Sequence, residues 1–265
     1  MGDLYAELLA QSVTVPGPAT GQLGQAARQA GAYVVIGVNE RNSEASNSSL
    51  YNTLLFIDAQ GQIMGRHRKL VPTGPERTVW APGDGSTLDV YDTPFGRVAG
   101  LICWENYMPL ARYAVYAWGA QLYLAPTWDR GEPWLVTLRH IAREGRVYVV
   151  GCSIALRRDD IPDSFAFKAQ YYAGAPEWIN VGDSAVVNPE GQFIAGPLHK
   201  EQGILYAEID PQQMRSARWN LDVAGHYARP DVFQLTVRRD LRPLLAVKSG
   251  PAIEAEGENG DADNG

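Results

Sequence analysis

The chain has 265 residues, 45% of them hydrophobic, and a formal net charge of −7. Length and apolar content allow one large core, and the acidic balance argues against nucleic acid and anionic membranes as partners. No apolar run reaches the roughly 18 residues of a spanning helix, and no charged-then-apolar signal opens the chain. Four scattered histidines and two cysteines have no zinc spacing, and there is no Gly-rich phosphate loop, so neither metal nor cofactor is expected. Cys103 and Cys152 each sit in an apolar run, which fits reduced thiols in a cytoplasm better than a disulfide.

In chain order, residues 20–30 read as a helix, with Leu23, Ala26, Ala27 and Ala30 on one face and Gly31 suited to the position past its end. Residues 33–38 form an apolar run short enough for a buried strand. Glu40, just after it, reads as a strand-end ion pair or a supporting carboxylate rather than a catalytic one. A polar, Ser/Asn-rich loop over 41–49 follows. Residues 51–58 and 62–68 then predict two strands around Ala59-Gln60-Gly61, a hairpin. The second strand delivers His67, Arg68 and Lys69 into a loop opened by Pro72. A lysine after a strand end is ordinarily a solvated charge; three basic residues meeting a Pro-Thr turn also suit a loop that anchors an anion. Glu76 reads by itself as a surface partner for Arg77.

Turn residues over 82–96 surround a short predicted strand at 88–91. Residues 98–102 read as an apolar strand ending on Cys103, and a helix begins after Pro109, which suits a first helical turn. Taken alone, Cys103 is one more buried, inert cysteine. At the turn after a buried strand it is instead a nucleophile fixed by the core. There, backbone N–H groups and helix N-termini lower a thiol pKa and hold an oxyanion. Residues 110–118 predict a helix, and 121–125 a strand ending in Pro126-Thr127-Trp128-Asp129. Trp128 reads equally as a pocket wall or as a core or interface aromatic. Residues 133–144 predict a helix with Trp134, Leu138 and Ile141 on one face; His140 beside that stripe reads as a buried or interface residue, not a base. The strand over 146–154 holds Cys152, which has no base near it and reads as structural.

Residues 157–178 are irregular, a loop long enough for a lid or interface arm. Residues 184–187 and 192–195 flank Asn188-Pro189-Glu190-Gly191 as a second hairpin, 203–209 predict a further strand, and a short helix starts at Pro211. Residues 248–265 are acidic, Gly-rich and almost free of apolar side chains, a predicted disordered tail. Strands alternating with helices in the first half and hairpins in the second predict an α/β fold of two sheets with helices outside.

Three blocks carry a resemblance to the nitrilase (carbon-nitrogen hydrolase) superfamily. Gly100-Leu101-Ile102-Cys103-Trp104-Glu105-Asn106-Tyr107-Met108-Pro109-Leu110 is similar to its nucleophile motif, and His67-Arg68-Lys69-Leu70-Val71-Pro72-Thr73-Gly74-Pro75-Glu76-Arg77 to its lysine motif. Asp222-Val223-Ala224-Gly225-His226-Tyr227-Ala228-Arg229-Pro230-Asp231 also matches the nitrilase branch. The likeness runs from about Val13 to Arg238. Trp104-Glu105 after the cysteine resembles the nitrilase and cyanide-hydratase branch more than the amidase and carbamoylase branches.

The resemblance implies a four-layer α-β-β-α sandwich in a carbon-nitrogen hydrolase domain over 1–247. It implies hydrolysis of a small-molecule nitrile to a carboxylic acid and ammonia through a cysteine thioimidate and thioester. Cys103 is then the nucleophile, Lys69 points inward to stabilise developing negative charge, and Glu76 positions Lys69 or the attacking water. Trp104, Thr127 and Trp128 line the substrate cleft. Cyanide hydratase, amidase and a catalytically impaired or non-enzymatic relative are the alternatives. Homodimers or larger spirals would form through outer helices, at 112–118 and 134–144. Family members also use a glutamate base on an early strand, in a Pro-Glu pair. No Pro-Glu pair precedes Lys69, and residues 1–11 resemble the end of the helix that follows that strand. The expectation is a chain lacking the family's first strands, its activity conditional on a substitute carboxylate such as Glu76 or Glu40.

Overall fold

Strand β2 (Leu50–Ile57) carries apolar side chains on both faces, so the fold must cover it twice. The computed structural model, which describes residues 2–165 and 167–240, shows how. β1 (Val34–Arg41) and β3 (Ile63–Arg68) pair antiparallel with β2 in a three-stranded sheet of order β1-β2-β3. On the outer face, Leu55 and Ile57 pack with Val15 and with Ala27 of the helix α2 (Pro18–Ala30). The helix starts on a proline and ends on Gly31, whose φ of 61° closes it in the left-handed conformation that glycine adopts without strain. On the inner face, Leu54 and Phe56 meet Val98 of a second sheet and Ile102 and Cys103 just beyond that strand's end. The preceding helix α1 (Gly2–Gln11) has no buried residue and is tied down by the Tyr5 hydroxyl, which donates to Ser48 O at 2.6 Å.

The second sheet runs in the order β10-β9-β7-β6-β5-β4. Its strands are β4 (Tyr91–Thr93), β5 (Gly96–Gly100), β6 (Leu122–Thr127), β7 (Tyr148–Ser153), β9 (Trp178–Val187) and β10 (Phe193–His199); β8 (Ala155–Arg157) pairs with β9 off that path. β5, β6 and β7 are parallel, linked by the helices α3 (Pro109–Ala117) and α4 (Glu132–Gly145). Alternation along these strands sorts the layers. Ala99, Leu101, Tyr123 and Ala125 face the helices and pack on Val115, Trp134, Leu138 and Ile141. Val98 and Leu124 face the first sheet. The result is helix, sheet, sheet, helix, the α-β-β-α sandwich expected, with each fully buried Leu or Ile contributing about 1.5–3 kcal/mol. The close approach of the sheets needs a bare backbone at Gly100. A Cβ there would meet Leu54 Cδ2 at 2.6 Å and Leu124 O at 2.9 Å.

Several expectations are corrected. The strand expected at 88–91 begins at Tyr91; Leu88 closes a 3₁₀ turn (Gly85–Thr87) and is buried in the helix-side core. The segment 203–209 joins no sheet: Ile204 and Tyr206 alternate as a strand would, but are 78% and 80% exposed. The loop expected over 157–178 holds a 3₁₀ turn (Arg158–Asp160) and the short helix α5 (Phe167–Tyr171), and its end is the start of β9. The short helix after Pro211 is α6 (Pro211–Ser216). His140 is not buried; it lies exposed, 3.5 Å from Glu144. Cys152, read as structural, lies on β7 and opens onto an apolar slot of about 370 Å³ between the sheets, lined also by Val35, Phe56, Leu124 and Val150; where those walls desolvate the thiol they push its pKa above the ordinary value. The tail expected over 248–265 lies outside the described residues. Among those described, no helix is long and apolar enough to cross a membrane.

Candidate active site

The parallel strands β5 and β6 deliver their carboxyl ends to one edge of the sheet, where open α/β sheets bind ligands. Leu101 still follows the ladder, its N–H donating to Leu124 O at 3.1 Å. Two residues later the chain turns sharply at Cys103, whose φ of 55° is the left-handed region that a side chain rarely adopts. A 3₁₀ turn (Cys103–Tyr107) follows. Asn106, fully buried, holds the turn shut: its Nδ2 donates to Leu101 O (2.9 Å) and Cys103 O (2.7 Å), and its Oδ1 accepts from the Tyr123 hydroxyl (2.8 Å). Arg112 of α3 adds a bond from Nη1 to Asn106 O (2.7 Å). Strain at one residue persists only where the surroundings fix it, and such residues cluster at functional sites.

Lys69 leaves the end of β3 with its backbone pinned on both sides: its N–H donates to Asn52 O and its carbonyl accepts from Gly83 N, both at 2.8 Å. Its side chain is completely buried, so its ammonium needs a partner. Nζ donates to Glu76 Oε2 at 2.5 Å and to Thr73 Oγ1 at 3.3 Å. The same Glu76 oxygen accepts from Thr73 N (2.7 Å), a reciprocal cap on the 3₁₀ turn Gly74–Thr78. The surface pair that Glu76 suggests by itself gives way to this inward contact, and Arg77 donates instead to Pro72 O at 3.0 Å. Glu40 forms the strand-end ion pair expected. It is buried beside Arg66 (2.7 Å) and Arg68 (2.6 Å) and accepts from the Thr53 hydroxyl (2.7 Å).

Glu105 binds the two blocks together. Its Oε1 accepts from Leu70 N (2.6 Å), next to Lys69, and its Oε2 from Ile102 N (2.7 Å), just before Cys103. His67 Nε2 lies 3.0 Å from Oε2, and His67 Nδ1 faces Thr87 O at 3.3 Å. Glu105 is 1% exposed.

The rim of the site gathers the other expected residues. Trp104 is half-exposed, and its Nε1 donates to Asp129 Oδ2 at 2.9 Å. The Tyr107 hydroxyl donates to the same oxygen at 3.1 Å; burial first, then the neighbouring Asp129 charge, raises its pKa. Asp129 N donates to Thr127 Oγ1 (2.8 Å), and Trp128, also half-exposed, is held through its carbonyl by Asn180 Nδ2 (2.6 Å). The block from Asp222 closes on itself, with Tyr227 N donating to Asp222 O (3.0 Å), and Val223 and Ala224 pack on the helix-side core. The apolar slot between the sheets includes none of Cys103, Lys69 or Glu76 in its walls. Among the described residues no group of His, Cys, Asp and Glu could hold a metal ion.

Glu105, Thr73, Asn106 and Asp129 all stand in the stretches quoted from the sequence, but with one exception nothing local to them announces these contacts. Thr73-Gly74-Pro75-Glu76 does carry the spacing of a capping box, the one local signal that links Glu76 to Thr73.

The fold and the site together define an α/β protein of the α-β-β-α sandwich class, with a cysteine on a strained turn and a buried, glutamate-bound lysine in blocks that Glu105 bridges. Residues 2–219 match the family model described as carbon-nitrogen hydrolase, and the chain belongs to that family. It is 45% identical over 244 residues to the aliphatic nitrilase of Sinorhizobium fredii (strain HH103), which covers 92% of this chain and 76% of that protein. It is 42% identical over 239 residues to nitrilase 2 of Arabidopsis thaliana, covering 89% and 69%. Its fold is similar to the crystal structure of Saccharomyces cerevisiae Nit3, a member of branch 10 of the nitrilase superfamily. That likeness has a TM-score of 0.67 at 22% identity and covers 84% of this chain and 78% of the other.

Proposed function

We propose that this chain hydrolyses a nitrile to a carboxylic acid and ammonia, with Cys103 as nucleophile. The observation that carries the reading is the buried Lys69–Glu76 pair, joined through Glu105 to the strained Cys103 turn. It stands in a chain similar to an aliphatic nitrilase over most of its length. A thiolate is matched to a nitrile carbon. Cys103 Sγ adds to that carbon, its proton passing by way of Glu76 to the nitrile nitrogen, and the triple bond becomes the C=N–H double bond of a thioimidate. Lys69 stabilises the charge that develops on nitrogen. A first water adds to the thioimidate, its protons passing to the nitrogen, which leaves as ammonia; a second cleaves the thioester, Glu76 taking its proton and returning it to Cys103 Sγ as the acid is released. Trp104, Thr127 and Trp128 shape the substrate cleft around them.

Ammonia release from a panel of aliphatic and aromatic nitriles tests this, with the chain beside its Cys103→Ala variant. Release by the chain and none by the variant is the expected result; no release from the folded parent overturns it. The product ratio of acid to amide in the same assay separates this activity from an amide-releasing one.

The same reading includes a single catalytic domain over 1–247 with a tail over 248–265, a cytoplasmic location suited to the two free thiols, and a homodimer or larger spiral homo-oligomer. The exposed Leu110 of α3 and Val136 of α4 support the outer helices as the joining surface. Light scattering of the chain and of Val136→Asp tests the assembly, the variant being expected at lower mass.

A further inference from the structure

The Lys69 and Cys103 blocks reach the site from different sheets, which pack through Leu54 and Phe56 against Ile102 and Cys103. One carboxylate also joins their backbones directly. Glu105 Oε1 accepts from Leu70 N at 2.6 Å and Oε2 from Ile102 N at 2.7 Å, so each oxygen holds the backbone beside one of the two residues. The His67 ring closes the arrangement, 3.2 Å and 3.0 Å from the two oxygens, and the group is sealed from water. Both backbone donors need an acceptor. A carboxylate offers one to each, whereas a carboxamide turns its NH₂ against one of them.

We propose that Glu105 is the positioning residue that sets Lys69 against the Cys103 thiol, an inference that rests on the reading of those two residues given above. Glu105 touches no substrate; it acts through the two backbones it bridges. A shift of about 1 Å between reacting groups costs on the order of 100-fold in rate. The consequence is also electrostatic. The charged and titratable groups of the elements around the thiol are Lys69 and His67 from β3 and its loop, Glu76 from the following 3₁₀ turn, Glu105 and Tyr107 from the cysteine's own turn, and Asp129 from the end of β6. Removal of the Glu105 charge alone would favour the thiolate and lower the pH at which it forms. Loss of Lys69 alignment would raise that pH, so the two roles have opposite signs.

The test follows the rate of Cys103 alkylation by iodoacetamide against pH, in a Cys152→Ala background so that a single thiol reports. Glu105→Gln is expected to move the midpoint upward by about 0.5 unit or more. It is also expected to lower kcat for nitrile hydrolysis about 100-fold while KM stays within about threefold. A midpoint that stays in place or moves down overturns the proposal. If Glu105→Gln gives no cooperative thermal transition, Glu105→Asp carries the same test. It keeps the charge and shortens the reach, and an unmoved midpoint there is equally fatal. Should the parent release no ammonia, the nitrile reading fails, while the alkylation midpoint still decides the role of Glu105.

Discussion

Cys103 holds a backbone conformation that L-residues avoid, and the fold keeps it there with hydrogen bonds from Asn106 on one side and to Glu105 on the other. Lys69 is as tightly specified. Its ammonium is completely buried between Glu76 and Thr73, a space for a compact point charge with two acceptors. Lys69→Arg keeps the charge but brings a planar fork with five donors to satisfy. It is expected to cost about 100-fold or more in kcat/KM for nitrile hydrolysis; steady-state kinetics within about fivefold of the parent would show that charge alone suffices. At this scale the sequence was informative where chemistry is local. Cys103 and Lys69 stand in contiguous blocks, and Glu76 lies within a capping-box spacing of Thr73. Glu105 and Asp129 were illegible in their roles because each acts across space. Glu105 meets Leu70 from 35 residues away, and Asp129 meets Trp104 from 25; no window along the chain contains such a pair.

The helices α3 and α4 hold the cysteine turn from behind. Arg112 of α3 donates Nη1 to Asn106 O, and its Nε and Nη2 reach both oxygens of Glu144 on α4, at 2.8 and 3.2 Å. The Tyr116 hydroxyl also donates to Glu144 (3.0 Å). Burial raises the Glu144 pKa, but the hydrogen bonds and charge of Arg112 outweigh it and leave the carboxyl below its ordinary value. A carboxyl depressed on folding contributes stability above the unfolded pKa, about 4.3, and loses it as pH falls through the folded value. Glu144→Gln is therefore expected to be less stable than the parent at pH 7, with the gap narrowing under acid. Urea melts at about pH 7 and about pH 3.5 read this directly, and a gap that does not change with pH contradicts the pairing. Helices such as these were legible because capping and periodicity are properties of one segment: Pro109 and Pro133 start them, and Trp134, Leu138 and Ile141 face one core. The strand expected at 203–209 failed for the complementary reason. Its alternating Ile204 and Tyr206 fit a pleat, but a strand exists only with a neighbour, and no ladder among the described residues includes it.

The whole molecule separates its burden by layer. The outer cores lie on opposite sides of the two sheets: Ile57 packs with Val15 and Ala27 under α2, and Ile141 with Trp134 and Leu138 under α4. Only the middle layer, with Leu54, Phe56, Val98 and Ile102, includes Cys103. Stability and catalysis should therefore come apart by layer. Ile57→Val and Ile141→Val remove one methylene each from fully buried positions and are expected to cost about 0.5–1.5 kcal/mol apiece. Because two sheets separate them and they share no partner, the double variant should equal the sum to within about 0.5 kcal/mol, with kcat within twofold of the parent, roughly. Phe56→Leu belongs to the layer that includes the cysteine turn, and the same conservative scale of change there is expected to lower kcat along with stability. Denaturant melts and kinetics on the four variants test the division. A coupling above about 1 kcal/mol between Ile57 and Ile141 would mean that strain crosses both sheets, and the Cys103 turn would then answer to the entire core.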